Sequence, residues 1–408
     1  MDGLPTEIIT NICTLLCSHC YEVIEQNDGP PDFDQPTHQP DQDALLSLCL
    51  TSSRLRDIAQ TTLYHRVYLE TFRVDRLVSL LRTILSRPDL ARSVEHLSVS
   101  EMNACTLNDA DWELFTQAAL SSHLALAEPW YLEARSPGDS YTCQLMIGLL
   151  ILHLPCISAL KLEITQDQSC ECSFVAAPPP SALSKLRVLY LHHFSGFMSY
   201  FSVSDFSTIL QLARNLNYLS VSGCGSIPTR LPLTNVTSLS LEDSWLSVAS
   251  MDHILSSCGG LEQFSYSCTR SRHGVRANDV MDLLTKYGHE KTLHSLSLYY
   301  PGGCRPCRRI KSLAGFSRLQ FISFEPRTVN LSADGDSSTF VTSLPTSVDT
   351  LIFNGKAEDI TGELYEIRDM KFQGKLPNLR KLLFRSDLET MSLIMLTESL
   401  ESMGVYCH

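Results

Sequence analysis

One short frame, apolar-x-x-apolar-x-apolar, returns along this chain at nearly even intervals. It stands at Val94-Leu97-Val99, Ile157-Leu160-Leu162, Leu186-Leu189-Leu191 and Leu216-Leu219-Val221. It comes back at Val236-Leu239-Leu241, Leu261-Phe264-Tyr266 and Leu293-Leu296-Leu298, then at Leu319-Ile322-Phe324, Val348-Leu351-Phe353 and Leu379-Leu382-Phe384. A frame this short arises on the order of a dozen times by chance in an apolar-rich chain of this length. The spacing carries more weight, because from Ile157 onward successive starts lie 20 to 32 residues apart. A period of that size marks one supersecondary unit used many times, and no such unit buries its apolar face without a neighbour.

Within each frame the second and third apolar residues sit two apart, so they share one face of a strand. Between frames lie helix-like segments such as "DFSTILQLARN" and "SMDHILSSCGG". The pattern predicts an α/β chain with a parallel sheet. "LNYLSVSGCGSI" fills every position of Leu-x-x-Leu-x-Leu-x-x-Cys-x-x-Ile, with Cys224 in the ladder place. These units resemble degenerate leucine-rich repeats. The resemblance implies a horseshoe solenoid over residues 71–408, with a parallel concave sheet and a capping helix in "DLETMSLIMLTESLESMG". The stretch between Val94 and Ile157 holds either two units or one long helical unit, and "EPWYLEA" offers a degenerate strand there.

On the open face of such a sheet the side chains at +2, +4 and +6 of each frame point outward. The middle column reads Ser98, Lys161, Tyr190, Ser220, Ser240, Ser265, Ser297, Ser323, Ile352 and Leu383. Aromatic and charged residues flank that serine floor, and such residues anchor protein interfaces. The candidate substrate-binding residues are Tyr190, Tyr218, Tyr299, Phe321, Glu325, Lys381 and Arg385.

Ahead of the repeats stands "LPTEIITNICTLLC". Ile8, Ile12, Leu15 and Leu16 fall on one helical stripe, which Ile9 widens, and Pro5 suits a first turn. "QNDGPPDFDQPTHQPDQD" reads as a flexible acidic loop. In the helix after it, Leu45, Leu48 and Cys49 share a face; "TSSR" caps a third helix carrying Leu55, Ile58, Ala59 and Leu63. Residues 1–70 thus predict a three-helix unit with an insertion at about 18–43. A unit that small leans on the chain behind it, on a partner, or on both.

The same residues resemble the F-box. Leu4-Pro5-Thr6-Glu7-Ile8 matches its opening; Leu45, Leu46, Leu48 and Leu50 match its second helix, and Ser52 and Arg54 its third. Leu55 stands where the family often has Trp, and the insertion separates helices the family joins closely. The resemblance implies docking on the Skp-type linker subunit, and through it on a cullin-RING ubiquitin ligase. Motif match and helical phase select Leu4, Pro5, Ile8, Ile9, Ile12, Leu46, Leu50 and Leu55 as docking residues. F-box plus leucine-rich repeats implies a receptor that holds a protein substrate for ubiquitylation; the alternative is a repeat scaffold that engages no ligase.

Composition narrows the remaining classes. No apolar run reaches the length of a membrane span, and the start lacks the basic and apolar regions of a signal peptide. Fifteen cysteines without an export signal predict reduced thiols in the cytoplasm or nucleus. A net charge of −13 argues against nucleic acid or an anionic membrane as partner. Cys17-Ser-His-Cys20 and Cys304-Arg-Pro-Cys307 invite a metal reading, but the pairs are far apart in sequence and buried core thiols explain Cys13, Cys17 and Cys20 more simply. No metal and no cofactor is therefore expected. Arg305, Arg308, Arg309 and Lys311, with Arg270, Arg272 and Arg276, offer a basic pocket for a phosphorylated motif or a solvated loop. No G-x-S-x-G, H-E-x-x-H, P-loop or G-x-G-x-x-G is present, so no catalytic residue is expected.

Overall fold

A computed structural model describes residues 3–17, 20, 39–69, 74–100, 107–121, 140–164, 182–193, 201–268, 274–300, 312–325, 341–354, 361–384 and 391–407. By compactness the chain forms two units, one of residues 1–196 with 205–219 and the other of 197–204 with 220–408. The fold is mixed α/β, with every registered pairing of the main strands parallel.

The first unit opens with helices α1 (Thr6–Leu15), α2 (Gln39–Thr51) and α3 (Ser53–Leu63). Pro5 precedes α1, and its carbonyl accepts from the Ile8 and Ile9 amides. The Ser52 hydroxyl caps α3 by accepting from the Leu55 amide at 3.2 Å, as the "TSSR" junction predicts. Ile9, Cys13, Leu45, Leu55 and Ala59 make the bundle core, with Leu16, Leu48, Cys49, Ile58 and Leu63 packed around it. Most of the acidic insertion lies outside the described residues; α2 already begins at Gln39.

Behind the bundle run β1 (Arg66–Leu69), α4 (Val74–Ser86), α5 (Pro88–Ala91), β2 (His96–Val99), α6 (Asp109–Ser121), α7 (Ser140–Leu152), β3 (Ala159–Ile164), β4 (Val188–His193) and α8 (Ser207–Leu212). The sheet order is β1-β2-β3-β4. Leu97 pairs with Leu160 and Leu160 with Leu189, so equivalent frame residues lie side by side and all three are fully buried. Because β2 pairs directly with β3, no strand stands between them in the sheet, and the described residues of the interval are mainly the helices α6 and α7. "EPWYLEA" itself lies outside the described residues. Trp112 and Phe115 of α6 and Leu149 and Leu150 of α7 are buried there. The Arg82 guanidinium grips the buried Asp111 carboxylate from α4.

The second unit takes in β5 (Phe201–Ser202), the end of β6 (Tyr218–Ser222), β7 (Cys224–Ser226), β8 (Ser238–Glu242), α9 (Val248–Leu255), β9 (Gln263–Ser267), α10 (Ala277–Lys286) and β10 (Ser295–Tyr299). It continues with β11 (Phe321–Phe324), β12 (Thr350–Phe353), α11 (Thr361–Phe372), β13 (Lys381–Phe384), α12 (Met391–Ser402) and β14 (Tyr406–Cys407). Strands β8 to β14 pair in order and in parallel, one register step per repeat. Leu241, Tyr266, Leu298, Phe324, Phe353 and Phe384 thereby form one buried row.

One hydrogen-bond device recurs along both units. A carbonyl just before one strand accepts two successive amides from the next repeat. In the first unit His65, Glu95 and Ser158 accept in this way; in the second, Thr237, Glu262, His294, Gln320 and Asp349 do. The device satisfies backbone groups that a packed repeat would otherwise bury unbonded. Where "LNYLSVSGCGSI" ends, the buried Cys224 amide donates to Ser244 Oγ at 3.2 Å. Ser244 occupies the place of Cys224 one repeat on, so a hydroxyl continues the ladder.

Candidate functional site

The eight residues expected to dock a partner differ in exposure. Ile9 is 2% exposed and Leu55 1% exposed, so both are core residues of the bundle rather than surface groups. Ile12 is half-buried. Leu4, Pro5, Ile8, Leu46 and Leu50 are exposed, Leu50 by 82%. Leu15, on the Ile8 stripe but not among the eight, is also exposed. Apolar residues therefore lie bare on one face of α1 and, at Leu46 and Leu50, one turn apart on α2. The Arg54 guanidinium donates to the Leu4 carbonyl at 2.7 Å and to Thr6 Oγ1 at 3.3 Å, fixing the start of α1 against α3.

The strand columns fall where the frames put them. In the first unit Ser98, Lys161 and Tyr190 are successive register partners. In the second unit Ser240, Ser265, Ser297, Ser323, Ile352 and Leu383 are. The serine floor is less open than the column suggests. Ser240 and Ser323 are buried, the first donating to Glu242 Oε1 at 3.0 Å and the second accepting from Asn354 Nδ2 at 2.7 Å. Lys161 is buried beside Glu163, 3.4 Å away.

Of the flanking candidates, Tyr190 and Tyr218 meet with ring centroids 5.3 Å apart and planes tilted by 46°. Tyr299 and Phe321 are half-buried on β10 and β11, Glu325 is buried and Lys381 is exposed. Arg385 lies outside the described residues, as do Cys304, Cys307, Arg270, Arg272 and the basic run after them; Arg276 is described. The exposed Tyr406 joins Lys381 as its register partner on β14, an edge strand that the frame does not predict.

A third cluster brings cysteines to a histidine. Helix α1 ends at Leu15, so Cys17 and Cys20 leave its regular face. Both meet His65: the Cys17 sulfur lies 3.9 Å and the Cys20 sulfur 3.3 Å from His65 Nδ1. The Cys17 sulfur pulls the His65 pKa above its ordinary value, against burial, and holds the Cys20 thiol above its own. Cys13 stays in the bundle core, where burial and then Cys49 push its thiol up. His192 and His193 face opposite sides of β4, as adjacent strand residues must, and burial lowers His193.

No protein-family model matches the sequence, and no curated protein matches it significantly. Among the described residues no helix is long and apolar enough to cross a membrane.

Proposed function

We propose that this protein is a non-catalytic substrate receptor of a cullin-RING ubiquitin ligase. Its N-terminal bundle acts as an F-box that docks on the Skp-type linker subunit. Its strand-and-helix repeats, of leucine-rich-repeat type, hold a protein substrate in the cytoplasm or nucleus. The observation that carries the reading is the bare apolar set Leu4, Ile8, Leu15, Leu46 and Leu50 on a bundle with so small a core. Exposed apolar groups concentrated on one small element mark an interface. Burying a leucine such as Leu50 contributes about 2 kcal/mol, a factor of roughly thirty in affinity. The Leu-Pro-x-Glu-Ile opening and the Ser-capped third helix support the F-box in particular. In this role the chain positions its substrate and makes or breaks no bond.

The test is titration of the purified Skp-type linker into the full-length chain, with an Ile8→Asp, Leu50→Asp double variant alongside. Tight binding that the variant loses supports the reading. A folded wild-type chain that does not bind leaves a repeat scaffold outside any ligase.

A further inference from the structure

We propose that Cys17, Cys20 and His65 form a zinc site that clips the end of the first helix to the start of the first sheet. This inference is independent of the ligase reading.

The geometry is that of a ligand set. The three ligand atoms all lie within 4.8 Å of one another. A tetrahedral zinc ion has bonds of about 2.3 Å to sulfur and about 2.0–2.1 Å to imidazole nitrogen. Those lengths place sulfur and nitrogen about 3.6 Å apart at the tetrahedral angle. The two separations to His65 Nδ1, 3.3 Å and 3.9 Å, bracket that figure. Two sulfurs at C-x-x-C spacing and one imidazole form a donor set that selects zinc over the hard cations. Cys17 is buried while Cys20 and His65 are partly open, which leaves a path of entry and a fourth position for water. Glu95 adds negative charge near both Cys20 and His65.

The placement explains what such an ion does. His65 follows α3 and is the first residue in the series of carbonyls that accept two amides from the next repeat, here those of Glu95 and His96. Cys17 stands just before the insertion and Cys20 at its start, 48 and 45 residues from His65. A metal clip across that stretch removes the closure entropy of a long loop from the folded chain's disadvantage. It also anchors α1 to β1, which fixes the bundle's attitude to the sheet of its own unit. On binding, each thiol gives up its proton to solvent and the imidazole binds as the neutral ring.

The experiment uses the full-length chain, purified with a tag that binds no metal. Elemental analysis should find stoichiometric zinc, which Cys20→Ser and His65→Ala lose and Cys304→Ser, in the other C-x-x-C, retains. Cobalt(II) added to the zinc-stripped wild type should give the absorption of tetrahedral thiolate ligation, a reading that does not depend on any variant folding. A folded wild type that takes up neither zinc nor cobalt overturns the site. So does zinc that persists in Cys20→Ser or departs in Cys304→Ser, and so does a Cys17–Cys20 disulfide as the resting state.

Discussion

Arg54 reaches from the first turn of α3 to the carbonyl oxygen of Leu4, 2.7 Å away and fifty positions earlier in the chain. The same guanidinium touches Thr6 Oγ1. It therefore sets where the exposed Leu4 and Ile8 stand. Arg54→Ala should weaken binding of the Skp-type linker about five- to tenfold, the worth of roughly one hydrogen bond of about 1 kcal/mol. Arg54→Lys should recover only part, because an ammonium lacks the planar fork. Calorimetric titration reads the loss, and the melting temperature should fall by only a few degrees, because the guanidinium is exposed.

Leu55 should behave in the opposite way. It lies in the bundle core with Ile9, Cys13, Leu45 and Ala59. Leu55→Ala removes a buried side chain and should cost the bundle about 2–4 kcal/mol. Hydrogen exchange of α1 to α3 reads that loss directly. Leu50→Ala, at a residue 82% exposed, should leave protection unchanged and show itself only in linker affinity.

The strand faces carry a separate expectation for substrate. Tyr218→Ala breaks the ring pair with Tyr190. Tyr299→Ala and Phe321→Ala clear half-buried aromatics from β10 and β11. Each should cut capture of ubiquitylated proteins from cells severalfold while linker affinity stays put. Unchanged capture in all three variants would remove these strand residues from substrate binding.

The repeat was legible because its signal is local. A strand of period two followed by a crossover puts every frame in register, and so Leu239, Phe264, Leu296, Ile322, Leu351 and Leu382 line up. Strand β1 escaped only because its frame starts on an aromatic, Tyr64-x-x-Val67-x-Leu69; Val67 pairs with Leu97 and Leu69 with Val99. Which of the expected docking residues lie exposed was legible by half. Helix α1 is apolar on two adjoining stripes, Ile9–Cys13 and Ile8–Ile12–Leu15, and helical phase alone does not say which stripe meets the core. The meeting of His65 with Cys17 and Cys20 was not legible at all, since no spacing rule links residues 45 apart across an insertion.

Gly259 and Gly260 make a paired test of backbone packing. A Cβ on Gly259 would sit 2.5 Å from the Thr234 carbonyl oxygen, a backbone atom that cannot turn aside. Gly259→Ala should cost about 1–3 kcal/mol. On Gly260 the nearest atom is Thr292 Cγ2 at 3.7 Å, an ordinary contact. Gly260→Ala should be neutral or stabilise by up to about 1 kcal/mol through the unfolded chain. Urea denaturation of the two variants reads the difference, and equal midpoints would contradict the close approach.

His289 makes the stability of the second unit depend on pH. It is buried, with Nδ1 accepting from the Leu261 amide at 3.3 Å and Nε2 donating to the Leu255 carbonyl at 3.0 Å. That pattern requires the neutral ring, since a proton on Nδ1 would displace the amide. Burial lowers the pKa below its ordinary 6.5, with the Leu255 carbonyl and Glu290 offsetting part of the effect. As the pH falls through about 6.5 the unfolded chain takes up a proton that the folded chain refuses. The unfolded state then binds more protons, so stability falls with acid until the folded pKa is passed. Above about pH 7 the contribution is complete. Urea midpoints should therefore drop between pH 7.5 and 5.5, with a smaller drop in His289→Gln, which lacks the titration and starts from a lower stability by about 1–3 kcal/mol. His193, also lowered by burial, adds a slope of the same sign in the first unit. The difference between wild type and His289→Gln isolates His289, and parallel profiles would show that the ring takes its proton as readily folded as unfolded.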